Sequence, residues 1–290
     1  MNRNKKVIFY LLPSLIIILL FQIYPIINVL SMSFYIKFDY IKDIVYEKGL
    51  GNYKYVLTDP DFYLALKNTF IYVLVSVPLS ITIALIFALI LNSNIKFKET
   101  FRSVYFLPFV TSAVAISIVW RWIFSSDYGL MNNIIGLFNI APQEFLNESF
   151  WTIPLLIFLN IWRGIGYKIA ILLAGLQSID KKYQYAAMID GASKWKCLKE
   201  ITIPLLSPTI FFLSITSVIG SFKLFDEVFI LYDKKPGPLK SGMTIVYYIF
   251  NKFYMNWQFA TAAAAAFVLF IIIFIFTLIQ LFIGKKKVHY

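Results

Sequence analysis

Two rows of polar residues set in apolar surroundings are the groups of this sequence that could do chemistry. Asn160, Arg163 and Tyr167 recur at i, i+3 and i+7, and Ser214, Ser217, Ser221 and Phe225 at i, i+3, i+7 and i+11. Each row therefore falls on one face of a helix. Polar groups in a bilayer are costly, about 2.5 to 3.5 kcal/mol for a centred charge on insertion scales, so their presence is informative. Arg163 sits about ten residues, or about 15 Å, in from the outer end of its apolar segment. Together the rows predict a cavity with hydrogen-bonding walls and an aromatic mouth. Ser, Asn and Arg suit sugar hydroxyls, and Phe and Tyr suit the apolar ring face. An anion would instead use Arg163 and Lys168, which lie on partly different faces. Two other readings stay open: hydroxyl residues also let helices pack closely, and an arginine also pairs with a structural carboxylate or snorkels outward.

Covalent chemistry finds no foothold. The chain has one cysteine, Cys197, and one histidine, His289, so neither a disulfide nor a metal site is expected. No glycine opens a GxxxxGK[ST] loop, so any ATP must be hydrolysed elsewhere. No catalytic residue and no metal ligand is assigned.

The elements that must hold the polar rows are membrane spans. Of the 290 residues 60% are hydrophobic and only 14% charged, an apolar content beyond what a soluble core needs. Six stretches reach the length of about 20 apolar residues that a span requires: residues 7–30, 69–91, 104–124, 153–176, 205–231 and 260–283. The first follows a basic start but shows no small-residue cleavage site, and is read as a retained span. An even number places both termini on one side. The intervals on that side carry fourteen Lys and Arg against four Asp and Glu, which makes it cytoplasmic by the positive-inside rule. Short interfacial helices are expected over residues 31–68, a looped cap over 125–150, and a turn at Asp233 to Gly242. The chain is expected to form one domain.

The cytoplasmic interval 177–204 is the polar exception. Asp180 can cap a short helix carrying Tyr183, Ala186, Ala187 and Met188 on a small, flat face. Gly191 falls where a left-handed C-terminal residue belongs. Ser193 can cap a second helix, which Pro204 is expected to stop before the fifth span. Two other uses of such a segment are weighed: resting on anionic lipid, and contacting DNA as a helix-turn-helix.

The stretch YAAMIDGAS, followed after nine residues by IPLL, resembles the cytoplasmic coupling motif of binding-protein-dependent ABC importer permeases. The likeness extends through Thr69 to Asn92, Phe101 to Gly136 and Ile161 to Asp180, and is to the carbohydrate-type branch, the first permease of maltose, multiple-sugar and glycerol-phosphate systems. It implies an all-α integral membrane fold of type I ABC importer kind, with six transmembrane helices. It also implies ATPase coupling through Tyr185, Ala186, Ala187, Asp190, Gly191, Ala192, Ser193 and Pro204. The implied partners are a second homologous permease, two ATP-binding subunits that carry ATP and Mg, and an extracytoplasmic solute-binding protein; the implied location is the bacterial cell membrane. No nucleic acid partner and no cofactor in this chain follow from it. The family glutamate is Tyr185 here, and the glycine-rich turn of the last outer loop reads Asp233-Lys234-Lys235-Pro236-Gly237. The solute expected is a sugar, with glycerol phosphate or another small anion as the alternative. A secondary transporter or a channel is the rival class; no Asp or Glu is placed at the centre of any predicted span, which argues against ion coupling.

Overall fold

The computed structural model describes residues 3–39, 42, 44–93 and 98–287; His289 and residues 94–97 of the cytoplasmic count lie outside them. Helices dominate, because in a bilayer each backbone donor must find its acceptor within the segment. Five helices are long and apolar enough to cross a membrane, and a sixth is made if one sharply bent pair counts as a single span.

The described residues group into two compact units. The first comprises residues 1–63 and 248–272. It opens with α1 (Arg3–Ile18), which runs through a π-helical turn at Leu19–Ile23 into α2 (Tyr24–Ser33). An antiparallel pair follows, β1 (Tyr35–Asp39) and β2 (Ile44–Lys48), and then α3 (Gly51–Thr58). The expected interfacial helices are thus replaced in part by a hairpin. β-Branched and aromatic residues fill this stretch (Tyr35, Ile36, Phe38, Ile44, Val45, Tyr46), and they favour a pleated backbone over a helix.

A charged knot holds this unit together. The Asp59 carboxylate accepts hydrogen bonds from Tyr248 Oη at 2.8 Å and from Lys252 Nζ at 2.9 Å; Lys252 also donates to Tyr55 Oη at 3.0 Å. The Asp59 and Lys252 side chains are each only 11% exposed. Burial pushes the Asp59 carboxyl up, but the bonds from Lys252, Tyr248 and the Asp61 N–H outweigh it and hold the group below the usual carboxylate value. Burial likewise pulls Lys252 down, and its bonds to Tyr55 and Asp59 outweigh that, leaving it raised. Asp59 therefore contributes stability that is present above its unfolded value near 4 and lost as pH falls through its lower folded value. Lys252 contributes stability present below about 10.4 and lost as pH rises through its higher folded value. Asp59→Asn is expected to cost about 1 to 3 kcal/mol at neutral pH, the penalty for leaving a partly buried ammonium underpaired. It is also expected to flatten the acid side of the melting-temperature profile, read by thermal unfolding in detergent from pH 3 to 7. An unchanged acid limb in the variant would show that the knot does not carry it.

The second unit comprises residues 64–247 and 273–290. It contains most of α4 (Pro60–Asn92), which starts nine residues before the predicted span, and the end of α14 (Phe259–Lys287). Between them lie α5 (Lys98–Val110), α6 (Ala113–Ile123), α7 (Leu130–Gly136) and α8 (Ser149–Ser178). Next come α9 (Lys182–Ile189), α10 (Lys194–Cys197), α11 (Ile203–Phe222), α12 (Asp226–Leu231) and α13 (Ile245–Phe250). Leu156, Leu159, Leu172, Leu206, Leu213 and Phe222 are buried in its core, and Phe70, Phe222 and Phe276 meet ring to ring. Gly166 lets α8 touch α5 backbone to side, since a methyl there would overlap the Tyr105 carbonyl.

Two predicted spans and one predicted helix stop are corrected. The third is not one straight helix: α5 and α6 meet at 104°. Pro108 lacks the N–H that would continue α5, and Thr111 Oγ1 takes the Leu107 carbonyl at 2.8 Å, so the helix ends and Ser112 turns extended. The fifth span does not extend to Leu231. α11 stops at Phe222, and α12 begins afresh with Asp226 and Glu227 in its first turn, where the positive end of the helix dipole favours carboxylates. Nor does Pro204 stop the preceding helix: residues Lys194–Phe222 form one helix. A π-helical turn at Leu198–Thr202 widens the spiral just before the proline, which then sits in the first turn of α11 where its missing donor is tolerated.

The outer turn at Asp233 to Gly242 forms as expected. Asp233, Lys234, Gly237, Leu239 and Lys240 all take positive φ there, and Gly242 N donates to the Pro236 carbonyl at 2.8 Å.

Candidate functional site

One face of α8 points into a cavity of about 320 Å³, lined by Tyr72, Phe109, Asn160, Arg163, Gly164, Gly220, Lys223, Leu224, Asp226 and Glu227. Four elements supply it. α4 gives Tyr72, the end of α5 gives Phe109, α8 gives Asn160 to Gly164, and the break between α11 and α12 gives the charged remainder. The break is what makes the cavity polar, because a continuous fifth span would have carried Lys223, Asp226 and Glu227 around a helix instead of gathering them at one place.

Arg163 Nη1 donates to Glu227 Oε1 at 2.8 Å, with Arg163 about a third exposed and Glu227 12% exposed. A charge this deep is tolerable because it is paired. The Tyr72 hydroxyl lines the cavity, buried and with no hydrogen-bond partner among the described residues, and Ser76 Oγ one turn further along α4, off the cavity lining, is buried and unpartnered as well. An orphaned buried hydroxyl beside a cavity is a group that a solute or water can satisfy. Tyr167 stacks on Phe109, centroids 5.1 Å apart and planes at 18°, which places an aromatic wall beside the polar one.

The two predicted rows fare differently in placement. Asn160 and Arg163 line the cavity, and Tyr167 reaches it through Phe109. The serine row does not converge on it. Ser214 accepts from Gln280 Nε2 at 2.9 Å, Ser221 is buried, and Phe225 lies beyond the end of α11, where it stands against Phe229 and Tyr247. Ser217 is half-buried on the same helix and is not among the lining residues. Sequence reasoning missed Glu227, Tyr72 and Phe109. Glu227 had a signal: a carboxylate inside an apolar stretch is a functional hypothesis by default. Tyr72 and Phe109 had none, since aromatic residues abound in every span.

The second feature is the elbow. Asp180 Oδ1 accepts the Lys182 N–H at 2.9 Å, starting α9, and the Lys182 ammonium bonds its other oxygen, holding that carboxyl below its usual value. At the far end the Gly191 N–H donates to the Met188 carbonyl at 3.1 Å and the Ala192 N–H to the Ala187 carbonyl at 2.9 Å, with Gly191 at φ +81. That is a Schellman-type closure, which the left-handed residue makes possible. Ser193 Oγ then accepts the Lys196 N–H and starts the next helix. Ala186, Ala187, Asp190 and Ala192 lie along this bend. The apolar side chains of Tyr185, Ile189 and Trp195 stand exposed on it, Ile189 the most at 86%. Pro204 lies not at the end of the elbow but within the helix that leaves it.

A multi-pass helical membrane protein with a polar, charge-paired cavity in one unit and a rigid exposed bend in the same unit is the class these features define. The chain belongs to the family described as the binding-protein-dependent transport system inner membrane component, whose pattern matches residues 77–288. It is 36% identical over 288 residues to the lactose transport system permease protein LacF of Rhizobium radiobacter, covering 96% of this chain and 93% of that protein. It is 35% identical to the arabinooligosaccharides transport system permease protein AraP of Bacillus subtilis, covering 96% and 88%. A chain of a bacterial ABC transporter involved in the import of the acidic polysaccharide alginate superposes with a TM-score of 0.86 at 23% identity, covering 98% of this chain and 96% of that one. A chain of a bacterial alginate ABC transporter in complex with an alginate pentasaccharide-bound periplasmic protein also gives 0.86, at 22% identity. The fold is therefore the all-α, type I ABC importer permease fold.

Proposed function

We propose that this chain is one of two homologous permeases in an ATP-driven importer, forming half of the pathway for a sugar or sugar-like solute. It forms a single permease domain with both termini cytoplasmic. Two ATPase subunits, carrying ATP and Mg, dock on the elbow from Asp180 to Ser193 and the start of the helix that leaves it through Pro204, and an extracytoplasmic solute-binding protein delivers the solute to the other side. Tyr185, Ala186, Ala187, Asp190, Gly191, Ala192 and Ser193 form the docking bend. Asn160 and Arg163, with Tyr72, form the polar wall of the path, while Ser214, Ser217 and Ser221 serve chiefly to pack α11. The names of the relatives, lactose and arabinooligosaccharide permeases, support a saccharide.

One observation carries the reading. The helix that leaves the elbow at Lys194 runs unbroken for 29 residues to Phe222, about 43 Å at helical rise. Gly220 near its far end and Lys223 just beyond it line the cavity. A bend pushed at one end of a stiff rod moves the wall at the other. Closure of the ATPases then shifts the cavity between inward-facing and outward-facing states, each favoured by a different ligand. The pairing of Arg163 with Glu227 gives the cavity a near-balanced pair of charges, which suits neutral hydroxyl-rich solutes better than the clamp an Arg163–Lys168 pair would have made for glycerol phosphate.

The test is to tag the chain, solubilise native membranes in mild detergent and identify what copurifies. A second permease and an ATPase subunit, with ATP hydrolysis raised by a loaded solute-binding protein, are the expected result. A chain that purifies alone and transports without ATP would point to the rival class, a secondary transporter or channel.

A further inference from the structure

The first unit holds a cavity to which the importer reading gives no role. Its volume is about 300 Å³, and it is lined by three rings, Tyr35, Phe38 and Tyr55, together with the polar side chains of Asn52, Gln258 and Thr261. All six lie within residues 1–63 and 248–272, on β1, on α3 and around the start of α14. The cavity shares no lining residue with the one around Arg163, which belongs to the second unit. In the orientation proposed above, with both termini cytoplasmic, the end of α2 and the start of α14 face outward, so this cavity lies on the outer side.

Its polar groups are held in place by the fold. Asn52 Nδ2 donates to the Ser33 carbonyl at 3.0 Å and to the Tyr35 carbonyl at 2.9 Å, tying α3 to the head of β1. Asn52 Oδ1 accepts from Thr261 Oγ1 at 3.4 Å, tying α3 to α14. An amide oxygen has two lone pairs, so one remains to offer. The Gln258 side chain is exposed and makes no hydrogen bond among the described residues, so its amide offers a donor and an acceptor. Tyr35 and Phe38 add a tilted pair of rings on one strand, centroids 5.1 Å apart and planes at 38°.

The chemistry of the lining selects the ligand. Among the described residues no charged side chain lines this cavity; Lys48 and Lys252 stand 5.4 and 4.8 Å from the ring centroids of Tyr35 and Tyr55 without joining the lining. A phosphate or carboxylate therefore finds no counter-charge on the wall. A neutral sugar ring finds both of its complements, since its apolar C–H faces suit aromatic rings and its hydroxyls suit amides and a threonine. An aromatic belt at the membrane surface would account for the rings but not for the fixed amide among them. The volume is at the small end of ligand cavities, with room for about one sugar ring.

We infer that Tyr35, Phe38, Tyr55, Asn52, Gln258 and Thr261 form a second, outer-side subsite for one ring of a neutral saccharide. This rests on the importer reading above and adds a binding site separate from the charge-paired cavity.

The experiment is photolabelling of the intact transporter in nanodiscs with diazirine-bearing lactose and arabinotriose, the labelled peptides being identified by mass spectrometry. A diazirine-bearing phosphatidylglycerol serves as the lipid control. The wild type is expected to carry sugar label on the peptides around Tyr35, Tyr55 and Gln258, and excess free sugar is expected to remove it. Tyr35→Leu raises the sugar concentration for half-maximal labelling there about tenfold, and Tyr35→Phe, which keeps the ring, leaves it within about twofold. Gln258→Ala alters an exposed side chain that the fold does not use, and raises it about fivefold, the worth of one hydrogen bond. Label on second-unit peptides alone overturns the subsite and leaves the sugar-importer reading standing, and needs no variant to assemble. Labelling unchanged in both Tyr35→Leu and Gln258→Ala overturns it too, as does lipid label on the same peptides that free sugar fails to displace. If neither sugar labels any part of the chain, the sugar-importer reading falls with it.

Discussion

Gly191→Pro is expected to abolish uptake while ATP hydrolysis continues. Proline fixes φ near −65° and has no N–H, whereas Gly191 sits at φ +81 and donates to the Met188 carbonyl. The substitution therefore removes the bond that closes α9 and forbids the bend between α9 and α10 in one step. No neighbouring atom comes within 4 Å of a Cβ built at Gly191, so the loss is one of backbone geometry and not of packing. The spans, which owe their stability to burial elsewhere, insert as before. With the elbow unable to hold its angle, a push from the ATPases no longer reaches α11, and uptake falls by about 100-fold, the scale of a full allosteric coupling. Gly191→Ala separates conformation from the lost donor. It keeps the N–H and costs only about 1 to 2 kcal/mol for the left-handed backbone, so it retains partial uptake. Uptake and hydrolysis measured on the same preparations decide the matter; uptake at wild-type rates in Gly191→Pro shows that the bend is not the lever.

Arg163→Ala has the second largest expected effect, and it acts through Glu227. Removing the guanidinium strands a carboxylate that is 12% exposed, at a cost of about 2 to 4 kcal/mol, below the full range for a buried pair because Arg163 itself is about a third exposed. In a detergent melt the variant loses several degrees. Glu227→Gln in the Arg163→Ala background removes the stranded charge and is expected to recover most of that loss. What it does not recover is solute binding. The exposed edge of Arg163 forms part of the cavity wall, so the double variant transports with a half-saturation concentration raised about tenfold, one hydrogen bond to solute. A double variant that melts no higher than Arg163→Ala contradicts the pairing, and one with unchanged transport kinetics makes Arg163 structural alone.

What could be read in the sequence was what periodicity and composition encode locally. The left-handed Gly191, the Ser193 cap and the dense outer turn each rest on residues close in sequence and are where the residues placed them, as are the long apolar helices apart from the bent third and the shortened fifth. What could not be read depends on long-range placement. Pro204 looked like a stop because a proline usually is one; the π turn that accommodates it comes from the way Leu198–Thr202 spirals and leaves no mark in a hydropathy pattern. Glu227 falls in what hydropathy reads as the tail of a span, and only the break after Phe222 turns it back toward Arg163. The 104° bend at Val110 to Ala113 was visible only as Pro108, a residue that straight transmembrane helices also tolerate. The serine row shows the converse: a clean i, i+3, i+7 pattern that the structure uses against Gln280 instead of the cavity.

The central claim is that movement at the elbow, powered by ATP on partner subunits, is delivered along the Lys194–Phe222 helix to the cavity. Its most direct test counts solute and ATP together, with the complete transporter in proteoliposomes, ATP enclosed and loaded solute-binding protein outside. Uptake that needs both ATP and the binding protein, concentrates solute against its gradient and loses its tie to hydrolysis in Gly191→Pro is the predicted result. Solute that merely equilibrates across the membrane, or enters at the same rate without ATP, would contradict it.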